Sequence, residues 1–457
     1  MLDQIATAHA RRMRTECDAP AIAWAVVEGG RVTAAAEGGS VSTDTRFRIA
    51  SMTKSFTAAV VLMLRDEGVI GLDVPVGEYA AELRSVAAPG AATPITLRHL
   101  LSMSAGMATD DPWADRHLDA SREQMDQIYS SGVAFAHETG EAFEYSNLGF
   151  GMIGRVVETV TGVSVRDLII ERLLEPLGMK HTGWTAGPKG TSARGHVRRG
   201  GSVIPDPDPT LGYGEISPMG GLWSTAGDLA VWMQWLDRAF TDPESRAAPL
   251  RASSRREMQT IHTYAGTPGI DGVHAPSGYG YGLLMRDDPV CGMVAGHSGG
   301  LPGFGSNMRW IIGTGVGVVA LANVTYAPMS TFTMRVLSES VTAGWVDRRR
   351  IPVDLVFEQA VTSLVALLVD WDDARARELF SDNVELDDPF EFRAAECARI
   401  MQACGGLMVE SLRPLARTRG DVVLVGSLGR VTLTVLLSPV GGDRIQSYLF
   451  GAVQPLE

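Results

Sequence analysis

Cysteine is scarce in this 457-residue chain: Cys17, Cys291, Cys397 and Cys404 stand far apart and form no C-x-x-C spacing. That excludes a disulfide framework and a zinc site as organising features, and the four read as small buried hydrophobes. The nine histidines form no H-E-x-x-H or other ligand spacing, so no metal or cofactor is expected, and His99 and His181 read as structural. Long apolar runs are also missing. The stretch "VGVVALANV", Val316 to Val324, is far too short to span a bilayer and reads as a buried strand. The N-terminal "MLDQIATAHARRMRTECD" scatters charges where a secretory signal needs an unbroken apolar stretch, so a soluble, cytoplasmic protein is expected. Basic clusters are short, Arg198-Arg199 and Arg348-Arg349-Arg350, and read as loop and linker charges. With a formal net charge of -13, nucleic acid and anionic membranes are poor partners. There is no long low-complexity segment and no internal repeat.

What remains is a composition ordinary for a globular protein and a length that calls for two or more domains. A helix near residues 2–15 precedes "AIAWAVVEGGRVTAAAEGG", a hairpin signal around Gly29-Gly30. In "SMTKSFTAAVVLMLRDEGVI", Phe56, Val60, Val61 and Leu64 fall at helical spacing, so a helix opens at or near Ser51. From about Thr96 to Trp235, helical patterns alternate with Gly- and Pro-rich loops, and residues 281–324 return to strand character. Strands at both ends with helices between predict an α+β unit, residues 1–347. It would hold an antiparallel sheet flanked by helices and an all-helical subdomain, closed by a helix over 330–343. After the linker "VDRRRIPVD", residues 352–457 read as a separate small α+β domain. Helices are predicted at 355–368 and 372–380, before the β-rich "DVVLVGSLGRVTLTVLLSPVGGDRIQSYLF". The order vaguely resembles cone folds of the NTF2-like type.

Three short elements carry chemistry. In "IASMTKS", Ser51 and Lys54 lie three positions apart, which on a helix puts them on one face about one turn from each other. An amine beside a hydroxyl supplies the proton acceptor that a serine nucleophile needs, and a helix N-terminus suits a developing oxyanion. In "FEYSNLGFGMIG", Tyr145 and Asn147 project to the same side of an extended segment. The phenol can shuttle a proton; the amide can orient the lysine or bind a substrate carbonyl. In "GHSGG", residues 296–300, Ser298 fits G-x-S-x-G. A nucleophile elbow needs a strand, a turn and a helix, and Pro302 with four nearby glycines argues against that helix. An α/β-hydrolase with Ser298 as nucleophile is accordingly disfavoured.

Taken in order, S-x-x-K, Y-x-N and H-x-G resemble the serine β-lactamase and penicillin-binding protein superfamily. The resemblance is to its class C-like branch of DD-peptidases, D-aminopeptidases and esterases. "TLRHLLSMSAGM", "LLEPLGMKHTGW" and "GGLWSTAGDLAVWMQW" follow that family's order too, so the likeness covers about residues 15–345. It implies that Ser51 attacks a carbonyl, that Lys54 and Tyr145 share acid and base work, and that Asn147 positions Lys54 and the substrate. The backbone N–H groups of Ser51 and Gly300 would form the oxyanion hole, with His297, Ser298 and Gly299 along the cleft edge. Many relatives carry Lys at the position of His297. A histidine with an ordinary pKa near 6.5 is only about a quarter protonated at pH 7, which weakens carboxylate recognition. The implied activity is hydrolysis of a small ester, amide or peptide, of the esterase or D-amino-acid amidase/peptidase type, with weak β-lactam turnover. The alternative is a catalytically silent relative that binds ligands or acts as a scaffold; a homo-oligomer is compatible with either. Trp113, Tyr213 and Phe304 are candidates for the acyl pocket. The acidic run "DWDDARARELFSDNVELDD" reads as a solvated helix face, and Thr139, where the family often has Pro, carries no functional weight.

Overall fold

The computed structural model describes residues 1–88, 90, 92–207, 212–242, 249–346 and 353–456. The chain divides into two compact units, Met1–Arg349 and Arg350–Glu457. Most of the predicted linker, with the three arginines at 348–350, lies outside the described residues.

The first unit is built on an eight-stranded antiparallel sheet. Its strands are β1 (Ile22–Glu28), β2 (Arg31–Glu37), β3 (Thr263–Tyr264), β4 (Ser277–Tyr279), β5 (Leu284–Asp288), β6 (Gly292–Leu301), β7 (Phe304–Ile311) and β8 (Val316–Ala322), in the spatial order 2-1-8-7-6-5-4-3. The ends of the unit meet at the β1–β8 pair, where Ile22 stands opposite Ala322. Strand β1, "IAWAVVE", is apolar on both faces because both are covered. Ile22, Trp24 and Val26 pack with α1 (Leu2–Glu16) and with the helix Met329–Thr342, while Ala23, Ala25 and Val27 face the opposite core. On that second side lie α2 (Thr53–Asp66) and the helices of the middle region, including α3 (Asn147–Thr161) and α4 (Ala226–Thr241). Every residue of α2 from Thr53 to Leu64 is buried, the pattern of a helix enclosed on all sides. Phe56 stacks on Trp232 of α4 at 4.0 Å between ring centroids, and the Trp232 indole donates to Ser55 Oγ.

The middle region is not purely helical. It includes the hairpin His196–Arg199 with Ser202–Pro205, whose turn residues Gly200 and Gly201 have φ of 58° and 81°. Two consecutive positive φ values define the two-residue turn that Gly-Gly favours, so "RRGGSV" held a hairpin signal that reading the region as helices and loops missed.

The second unit places Leu355–Val369, Asp373–Leu379, Asn383–Asp387 and Phe390–Cys404 as helices before an antiparallel sheet, Met408–Ala416, Arg419–Val425, Gly429–Leu437 and Ile445–Phe450. Its core includes Phe357, Leu364, Phe390, Leu424, Leu433 and Tyr448. The long helix 390–404 and the strand 408–416 add to the predicted elements. That strand lies at the sheet edge, largely exposed, and tolerates Pro414, so it lacks an alternating apolar pattern. All four cysteines are buried.

Candidate active site

Ser51 sits in a single 3-10 turn, Ala50–Met52, that leads into α2. Ala50 has φ 49°, the left-handed region that costs a non-glycine residue roughly 1–2 kcal/mol. The chain therefore enters the helix through a sharp bend that leaves Ser51 half-buried at its rim. Lys54, fully buried on the first turn of α2, reaches back to it. Its Nζ donates to Ser51 Oγ at 2.9 Å, to Asn147 Oδ1 at 2.6 Å and to the Met219 carbonyl at 2.8 Å. Burial pulls the Lys54 amine down to about 8, although the carboxylates of Asp111, Asp110 and Asp115 act in the opposite direction.

Tyr145 and Asn147 are brought in by the N-terminus of α3. Ser146 is the N-cap, its Oγ accepting from the Gly149 amide, and Asn147 is the first helical residue. Asp110 adds a second cap: its carboxylate accepts from the Asn147 amide at 2.7 Å and the Leu148 amide at 2.8 Å. Asn147 Nδ2 donates to Asp110 Oδ1 at 3.1 Å and to Asp111 Oδ1 at 2.6 Å. The Tyr145 ring lies 4.9 Å from Lys54 Nζ. Desolvation raises the Tyr145 phenol well above its ordinary pKa; Tyr279 and Asp111 add to this, and a hydrogen bond with Ser51 opposes it.

Strand β6 supplies the third wall. His297 is buried, with Nδ1 2.6 Å from the Ser298 carbonyl and Nε2 2.9 Å from the Tyr279 hydroxyl. Burial, with Lys54 nearby, drives its pKa down to about 3, so the ring is neutral at pH 7. A carbonyl only accepts, so Nδ1 carries the proton, Nε2 accepts, and Tyr279 donates. This corrects the expectation of a partly charged histidine: His297 offers no positive charge to a carboxylate. Ser298 is exposed, lies within the strand, and accepts from Asn307 Nδ2 at 2.9 Å. The chain after it runs on into β7 with no helix, so the nucleophile-elbow context is missing. At Gly299 a Cβ would stand 2.2 Å from the Ile49 carbonyl and 2.3 Å from Ser306 Oγ, and at Gly300 one would meet the Tyr326 ring at 2.3 Å. Gly299 lets β6 lie against the turn that carries Ser51, and Gly300 leaves room for the Tyr326 ring.

The structure thus gathers Ser51, Lys54, Tyr145 and Asn147 through direct contacts, with His297 beside Tyr145 at 6.3 Å between ring centroids. Sequence reasoning missed Asp110, Asp111, Asp115 and Tyr279. Asp115, whose carboxyl burial raises to about 6, is hydrogen-bonded by Tyr326. The acidic pair in "DDP", at the start of the short helix Asp111–Ala114, hinted at Asp110 and Asp111 alone. Of the aromatic candidates, Trp113 stacks on His117 and lines a cavity of about 640 Å³ that Asp110 and Leu148 border but Ser51, Lys54 and Tyr145 do not. Phe304 packs in the core against Phe47 and Trp223, and Tyr213 is exposed near Arg166. His99 caps the helix Leu97–Leu101, and the His181 amide donates to Asp228, both structural roles.

D-alanyl-D-alanine-carboxypeptidase/endopeptidase AmpH of Escherichia coli (strain K12) is 28% identical over 306 residues, 63% of this chain and 73% of that protein. Penicillin-binding protein 4 of Amycolatopsis lactamdurans is 28% identical over 328 residues, covering 68% and 82%. Among solved structures, the octameric penicillin-binding protein homologue from Pyrococcus abyssi superposes over the whole of both chains with TM-score 0.64 and 20% identity. A D-stereospecific amidohydrolase from Streptomyces sp. does so over 74% of this chain and 98% of its own, with TM-score 0.60 and 24% identity. At these identities the structural likeness is one of fold. The Beta-lactamase family model matches residues 6–341, a span that includes Ser51, Lys54, Tyr145 and the β6 strand, and the chain belongs to the beta-lactamase family of serine hydrolases.

Proposed function

We propose that this protein hydrolyses a small ester or amide through an acyl-enzyme on Ser51, in the manner of an esterase or a D-amino-acid amidase, with slow β-lactam turnover. The observation that carries the reading is the three-way hold on Lys54. As an ammonium it donates to Ser51, Asn147 and Met219. Carbonyl oxygens only accept, so when the amine loses a proton its lone pair turns to the one partner that can donate, the Ser51 hydroxyl. Lys54 is then a general base aimed at the nucleophile. The raised Tyr145 phenol stays protonated at rest; it gives its proton to the leaving group and takes back the one that Lys54 received from Ser51. The backbone N–H groups of Ser51 and Gly300 hold the oxyanion.

Substrate class follows from charge. A neutral His297 and three carboxylates near Lys54 do not favour a substrate carboxylate beside the scissile bond. The D-stereospecific amidohydrolase among the fold neighbours supports the amide side of the reading. Initial rates on p-nitrophenyl esters, D-amino acid p-nitroanilides and a chromogenic cephalosporin test it. Turnover of esters or anilides well above that of the cephalosporin is expected; a cephalosporin preferred over both refutes the assignment. Assembly into a homo-oligomer, supported by the octameric homologue, is checked by light scattering.

A further inference from the structure

Asn147 has one carbonyl oxygen and two amide protons, and every one of them has a partner. Oδ1 accepts from Lys54 at 2.6 Å; Nδ2 donates to Asp110 at 3.1 Å and to Asp111 at 2.6 Å. Carboxylates accept and an ammonium donates, so the opposite orientation of the amide would set donor against donor and acceptor against acceptor. Asp110 is held by the fold, because the same carboxylate caps α3 through the Asn147 and Leu148 amides. Asp111 takes the second amide proton. An amide in this place with a free N–H could bind a substrate carbonyl next to the scissile one, as an acylamino group would present.

On the hydrolase reading above, on which this rests, we propose that Asp111 is a specificity-determining residue. It commits Asn147 wholly to Lys54 and withdraws the N–H that would recognise an acylamino carbonyl. The enzyme therefore takes plain acyl groups on equal terms with acylamino ones, so its substrate class extends to simple acyl esters and amides that carry no acylamino group. Asp111 touches no reacting atom; it acts through Asn147.

The test compares kcat/KM for p-nitrophenyl acetate and p-nitrophenyl N-acetylglycinate, each divided by its rate constant for hydroxide hydrolysis to remove intrinsic reactivity. The ratio of the two is independent of how much of a preparation is folded, and the wild-type arm needs no variant. In the wild type the ratio is expected to stay within about threefold of unity, since no hydrogen bond distinguishes the substrates. Asp111→Ala frees one Asn147 N–H and is expected to shift the ratio about fivefold toward the acylamino ester, the effect of one hydrogen bond. Asp111→Asn keeps an oxygen that accepts the same proton and is expected to retain the wild-type ratio. A wild type that favours the acylamino ester more than about tenfold would overturn the inference. So would an Asp111→Ala ratio equal to wild type, or an Asp111→Asn ratio that moves as far as that of Asp111→Ala. A wild type that turns over neither ester overturns the hydrolase reading itself.

Discussion

Lys54 is a fully buried amine with an oxygen on each of its three N–H directions, and its chemistry depends on which of those contacts survives deprotonation. With a pKa pulled down to about 8 by burial, it is mostly charged at pH 6 and mostly neutral at pH 9. Only the neutral form accepts the Ser51 proton. Acylation should rise about tenfold per pH unit below 8 and level off above it, measured as the pre-steady-state burst with a p-nitrophenyl ester. A rate that falls as pH rises through 8 would contradict Lys54 as the base. Ser51, Lys54, Tyr145 and Asn147 were legible in the sequence because S-x-x-K and Y-x-N are local spacings. Asp110, Asp111 and Tyr279 were not, because they come from the start of a short helix and from a strand whose meeting with α3 is a tertiary event. The neutrality of His297 was equally invisible: burial, with Lys54 nearby, sets it, and neither has a local signature.

At the scale of elements, the site is a junction between one end of α2, the start of α3 and the β6 strand. The junction between β6 and the Ser51 turn is the tightest. Gly299 faces the Ile49 carbonyl with no room for a Cβ, and Ser306 Oγ donates to that same carbonyl at 3.1 Å. Gly299→Ala would push β6 away from the turn and move the Gly300 N–H relative to Ser51. A misplacement of about 1 Å in a catalytic group lowers kcat/KM by about a hundredfold, and that loss is predicted here with far-UV circular dichroism unchanged. Activity within about threefold of wild type would show that the glycine serves packing alone. The helix at Ser51 was readable from its helical spacing, and the predicted hairpin and the strand "VGVVALANV" from short apolar runs. The edge strand 408–416 was not, since exposure removes the alternation that marks a half-buried strand.

Across the whole molecule, the order of the family's stretches along residues 15–345 is readable in the amino-acid sequence itself, and the family match at residues 6–341 covers the same region. The α+β class followed from strands at both ends of that region, and the β1–β8 pairing closes them as expected. The second unit has its own core and no motif that assigns it a task. The central claim concerns one atom, Ser51 Oγ, among all the hydroxyls of the chain. Intact-mass spectrometry of the protein after exposure to a fluorophosphonate tests it most directly, with Ser51→Ala and Ser298→Ala in parallel. A single adduct on the wild type and on Ser298→Ala, absent from Ser51→Ala, is the predicted result. An adduct that persists in Ser51→Ala and vanishes in Ser298→Ala would contradict it.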